Sequence, residues 1–120
     1  MIQLDLRGNK SIYEQIIDKF KELIMRGTMK QGDKMPSVRE LSRTLGVNPN
    51  TMQRALAELE ARGLLETQRT AGRTVTGDVE KIAQTRRALA QTLVHHFYHQ
   101  AAALGLTKAE IAALLEQEEA

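Results

Sequence analysis

Apolar residues recur at helical spacing along most of this chain. Ile12, Ile16, Phe20, Leu23 and Ile24 share one side of a helix, with Glu14, Lys19, Lys21 and Glu22 between them. Ser11 stands where an N-cap belongs and Gly27 where the helix should stop. Before Ser11 the chain reads as a short extended lead-in ending at Gly8-Asn9. A turn is expected at Gln31-Gly32-Asp33, followed by Met35-Pro36. Ser37-Val38-Arg39-Glu40 then has the form of a capping box, and Val38, Leu41 and Leu45 give the short helix it opens one apolar face. Gly46 ends that helix, and Val47 is expected to be buried in the turn. Asn48 or Asn50 caps the next helix, with Pro49 where a missing N–H does little harm. This third helix runs to about Arg62, with Met52, Ala55, Leu56 and Leu59 inward.

The period then changes. Residues 64–69 read as a strand, Thr70-Ala71-Gly72 as a turn, and residues 73–76 as a return strand rich in Thr and Val. Gly77-Asp78 marks a boundary. Asp78 caps a long helix whose stripe is Val79, Ile82, Leu89, Leu93, Phe97, Ala101 and Leu104, and Gly105 ends it. Thr107-Lys108-Ala109-Glu110 is a second capping box, opening a last helix with Ile111, Leu114 and Leu115 apolar.

Helix, short helix, tight turn, helix, hairpin is the plan of a winged helix-turn-helix. The helix after the turn then needs a front of hydrogen-bonding groups. Asn50, Gln53, Arg54 and Ala57 point away from Met52, Leu56 and Leu59 at 100° per residue. Asn and Gln can pair with adenine and Arg with guanine, and Thr51 lies beside Asn50 in the first turn. Taken alone, such a front is also the solvated face of any surface helix. Ser37 and Arg39 open the short helix, whose N-terminal N–H groups attract phosphate; the alternative for Arg39 is a surface salt bridge with Glu40 or Glu58. Arg69, Gly72 and Arg73 would let the hairpin lie along a DNA backbone or in the minor groove, or would only blunt an exposed edge.

Charge sharpens this. Over residues 1–77 there are 13 Lys+Arg and 9 Asp+Glu, a balance of +4, whereas residues 78–120 balance at −2. The basic half is the natural one for a polyanion. With no Cys, thiolate metal sites and disulfides are excluded. No stretch is apolar enough for a membrane span, and residues 1–10 do not form a signal peptide, so a cytoplasmic protein is expected. No cofactor is expected, and the sequence offers no catalytic constellation, so the chain does not read as an enzyme. His95 and His99, at i and i+4 with His96 between them, are the sole metal-like cluster, and without a carboxylate they read as ordinary surface or interface residues.

Taken together, the residues resemble the GntR superfamily of bacterial regulators. The stretches that carry the resemblance are residues 12–16 (IYEQI), 32–41 (GDKMPSVREL), 45–51 (LGVNPNT) and 54–64, from Arg54-Ala55-Leu56 to Leu59-Glu60-Ala61-Arg62-Gly63-Leu64. The resemblance implies DNA contacts at Ser37, Arg39, Asn50, Thr51, Arg54 and the wing around Gly72. One position departs: the family's wing often carries a glycine pair around one residue, and Thr70 replaces the first of them.

The segment after the wing is short, as in the YtrA-like branch, which implies two C-terminal helices used chiefly for dimerisation. Physical reasoning agrees, because a long and a short helix cannot enclose a core of their own. The alternative is that the long helix packs back on the N-terminal domain. The expected fold is therefore mostly α with a small β-hairpin: a winged helix-turn-helix over residues 1–77, then a two-helix dimerisation segment over residues 78–120. Its interface is expected at Leu89, Leu93, Phe97, Leu104, Ile111, Leu114 and Leu115. The expected partners are double-stranded operator DNA and a second copy of the chain; the sequence names no small-molecule effector. The competing reading is a protein-interaction adaptor that keeps the fold without binding DNA.

Overall fold

The computed structural model describes residues 2–6, 8–70 and 72–119. The order is α1 (Ile12–Met25), α2 (Val38–Leu45), α3 (Pro49–Ala61), β1 (Leu65–Gln68), β2 (Gly72–Val75), α4 (Val79–Ala103) and α5 (Lys108–Glu116). It is the mostly helical winged helix-turn-helix that the periodicity predicts. The chain divides into two compact units, residues 1–84 and 85–120. The first turn of α4 goes with the N-terminal unit, where Ile82 packs against the core.

In the N-terminal unit α1 packs chiefly on α3. Ile16, Ile17, Phe20 and Ile24 from α1 meet Met52, Ala55, Leu56 and Leu59 from α3, closed by Leu41, Leu64, Leu65 and Val75. Ile17 is buried, while Ile12 and Leu23 of the expected stripe are half-buried, so the buried face of α1 is wider on one side than the spacing suggests. Gln15 ties the lead-in down: its amide donates to the carbonyls of Asp5 (2.7 Å) and Lys10 (2.9 Å) and accepts from the Asp5 N–H (2.6 Å).

The turn between α2 and α3 depends on one backbone conformation. Gly46 sits at φ 66°, ψ 37°, the left-handed region that an L side chain avoids, and its N–H closes α2 on the Ser42 carbonyl. Val47 is half-buried rather than buried. Asn48 is the cap of α3, accepting the Asn50 N–H at 2.8 Å, and Pro49 follows at the first helical position. This leaves the Asn50 side chain exposed.

β1 and β2 pair antiparallel, Leu65 opposite Val75 and Gln68 opposite Gly72. Ala71 of the expected turn lies outside the described residues. Residues 32–35, expected only as turn, also bond to the outer edge of β2. Gly32 N–H donates to Val75 O (3.0 Å), Val75 N–H to Asp33 O (2.8 Å) and Met35 N–H to Arg73 O (2.9 Å). This satisfies an otherwise open strand edge and carries Met35 into the core. It also fixes the wing relative to the residues that lead into α2.

In the C-terminal unit, α5 opens with a complete capping box between Thr107 and Glu110. Among the described residues of this unit only Ala101 and Ile111 are buried.

Candidate nucleic-acid interface

Ser37 caps α2, accepting the Glu40 N–H at 3.1 Å, while its hydroxyl donates to the Glu40 carboxylate at 3.2 Å. The box is thus only half of the expected form, since Glu40 meets the Ser37 hydroxyl. Arg39 is exposed on the next residue but one, with no hydrogen bond or ion pair among the described residues. The carboxylates that could have paired with it are engaged elsewhere: Glu40 with Ser37, and Glu58 with Arg62 at 2.7 Å.

On α3, Asn50, Gln53, Arg54 and Ala57 are exposed and Thr51 is half-buried, as the helical projection requires. The guanidinium carbon of Arg54 lies 4.8 Å from the centroid of the Tyr13 ring on α1. A cation over an aromatic face is attracted by the ring quadrupole, so Tyr13 narrows the directions Arg54 can take. Only the family-like motif singled out Tyr13 in the sequence; nothing in the spacing shows that it reaches α3.

The hairpin splits. Arg69 and Gly72 are exposed. Arg73 instead turns toward α3: its Nε donates to Glu60 Oε1 at 3.2 Å and a terminal nitrogen to Gln53 Oε1 at 3.4 Å, with only 20% of the side chain exposed. The structure thus brings Ser37, Arg39, Asn50, Gln53, Arg54 and the hairpin onto one unit, but joins Arg73 to α3. Glu60, a key partner here, carries no sequence signal of its role. A cleft of about 660 Å³ lies between the start of α2 and the hairpin, lined by Lys34, Pro36, Ser37, Glu40, Thr67 and Arg73 among others.

In the C-terminal unit, Leu93, Phe97, Leu104, Leu114 and Leu115 are all exposed, Leu93 by 71% and Leu104 by 82%. Leu89 is half-buried and Ile111 is buried within the unit. Val94, absent from the expected stripe, is exposed beside Leu93. The His95 and His99 rings stand 4.3 Å apart edge to face, but among the described residues no group of three or more His, Cys, Asp or Glu is placed to hold a metal ion. No helix among the described residues is long and apolar enough to cross a membrane.

Residues 12–75 match the family described as bacterial regulatory proteins, gntR family. The chain is 41% identical over 104 residues to the HTH-type transcriptional repressor YtrA of Bacillus subtilis, covering 82% of this chain and 80% of that protein. A GntR family transcriptional regulator from Listeria monocytogenes superposes with a TM-score of 0.88 at 39% identity, over 97% of this chain and all of that one. AraR(DBD), solved in complex with operator ORX1, superposes with a TM-score of 0.54 at 25% identity, over 62% of this chain and 96% of that one. The family match spans the helices, the left-handed turn and the hairpin described above, and the likeness to YtrA runs on past them; this chain belongs to the GntR family of bacterial regulatory proteins.

Proposed function

We propose that this protein is a transcription repressor that binds a palindromic operator as a homodimer. The observation that carries the reading is the exposed front of α3. Asn50, Gln53 and Arg54 stand there exposed on a packed apolar back, in the same compact unit as the exposed Arg39 at the start of α2. In the DNA complex, α3 enters the major groove, where Asn50, Thr51, Gln53 and Arg54 meet base edges. Ser37, which lines the cleft, and the exposed Arg39 approach the flanking backbone, and Arg69 and Gly72 bring the wing to the adjacent strand. The family consists of regulators rather than enzymes, and repression follows the name of the relative YtrA. A regulator of this kind works in the cytoplasm, where its operator is.

Dimerisation belongs to residues 78–120, through Leu93, Phe97, Leu104, Leu114 and Leu115, with Leu89 and Ile111 supporting them. Two helices with two buried side chains do not hide their apolar faces, and a two-fold dimer both covers them and matches a palindrome.

The test is binding to duplexes selected from a randomised pool, compared with a scrambled duplex across a salt series. A repressor selects one inverted repeat and loses affinity steeply with salt, by a slope set by the phosphates it neutralises. A protein with no measurable affinity for any duplex is an adaptor, and the reading falls.

A further inference from the structure

The guanidinium of Arg73 is a strap between the wing and the recognition helix. Its Nε donates to Glu60 Oε1 (3.2 Å), the oxygen that also accepts the Thr67 hydroxyl at 2.7 Å, and a terminal nitrogen donates to Gln53 Oε1 at 3.4 Å. Glu60 and Gln53 lie two turns apart on α3, so one arginine from β2 spans both. A guanidinium carries donors only, so the amide end of Gln53 turned toward it must be the oxygen. The –NH₂ end then faces away.

That changes what Gln53 can read. A glutamine free to rotate pairs with adenine by accepting from N6 and donating to N7. With its oxygen turned to Arg73, Gln53 aims its –NH₂ donors elsewhere, and the oxygen, though it keeps a second lone pair, no longer lies alongside them against one base edge. The adenine N6 amino group would meet another donor, whereas guanine presents two acceptors, O6 and N7, on the same edge. We propose that Arg73 is a positioning residue for sequence readout: by holding the Gln53 carbonyl it makes Gln53 a donor-only reader that selects guanine over adenine at one base pair of each half-site. This rests on the operator reading above. It also assigns Arg73 to tuning α3 rather than to clamping phosphate.

The experiment is base-preference profiling of the full chain on randomised duplexes, with wild type, Gln53→Ala, Arg73→Met, Arg73→Lys and Glu60→Gln. Gln53→Ala identifies the pair concerned by flattening preference there, and in wild type that pair should be guanine. Arg73→Met frees the amide and should move the same pair toward adenine by about fivefold or more, leaving other pairs unchanged. Arg73→Lys, a single point donor, cannot span both partners and should move it the same way. Glu60→Gln, which keeps the shape, should shift it in the same direction by less, and serves if Arg73→Met does not fold. A wild-type preference for adenine at that pair overturns the proposal. So does an Arg73→Met variant that weakens every sequence alike with its preferences intact, since Arg73 would then be a backbone contact. Failure of wild type to bind any duplex instead defeats the operator reading. In that case the strap is still read in the free protein, where the Arg73 Nε–H should exchange slowly with water and faster in Glu60→Gln.

Discussion

Arg54 and Arg39 flank the same turn but are held differently, and their variants should separate. Arg54 lies over the Tyr13 ring of α1, and Arg39 is exposed in the first turn of α2. Arg54→Ala should cost about 1–3 kcal/mol on the operator and relax one base pair per half-site. Arg39→Ala, if its contact is to phosphate, should weaken operator and scrambled duplex alike and flatten the salt slope by about one unit per protomer. Equal losses on both duplexes for Arg54→Ala would remove it as a base reader. Gly46 acts on the fold itself. Nothing lies within 4 Å of an added Cβ there, so Gly46→Ala suffers only from its left-handed backbone, a loss of about 1–2 kcal/mol in chemical denaturation. Residue types at α3 were legible in the sequence because a helix fixes where each side chain points. Arg73 was not, because its partners Gln53 and Glu60 lie 20 and 13 residues away on another element.

Among the elements, α3 carries both part of the core and the exposed front that we propose reads DNA. Leu56 is 1% exposed, so Leu56→Ala should cost about 2–5 kcal/mol and lower DNA binding only through the unfolded fraction. Circular dichroism melts compared with binding at a temperature where the variant is folded separate the two effects. The ends of α1, α2, α3 and α5 follow their local capping residues: Ser11, Ser37, Asn48 and Thr107 each accept a backbone N–H of their own helix. Such bonds are local, which is why caps could be named from the sequence. The pairing of residues 32–35 with β2 was invisible, because a segment of Gly, Asp, Lys and Met has no alternation of its own and takes its extended shape from the strand beside it.

At the scale of the whole molecule, assembly and pH bear on stability. Leu93 is 71% exposed on α4, so Leu93→Asp should leave the protomer folded but yield monomers in light scattering, with operator affinity falling in parallel. A wild-type monomer at micromolar concentration would sink the dimer. Lys10 and Asp18 meet at 2.6 Å on the N-terminal unit. Partial burial pushes the Asp18 carboxyl up, but the hydrogen bond and charge of Lys10, with Lys21, outweigh it and hold the group below its ordinary 3.8. The hydrogen bond and charge of Asp18 raise Lys10 above 10.5. Asp18 therefore contributes stability above its unfolded pKa that is lost as pH falls through the lowered folded value. The contribution of Lys10 is present below 10.5 and lost as pH rises through the raised value. Asp18→Asn should lower Tm at neutral pH, with a gap that closes on acidification below 3.8.

The sequence by itself determined the helices, their caps, the left-handed turn at Gly46 and the outward set Asn50, Gln53 and Arg54. Each of these depends on a 3.6-residue period or on a bond between residues a few positions apart. Tertiary structure alone decided the width of the buried face of α1, the third extended segment against β2, the seat of Arg54 on Tyr13 and the inward turn of Arg73. Those contacts join residues far apart in the chain, and a period along one element has no information about what another element places against it.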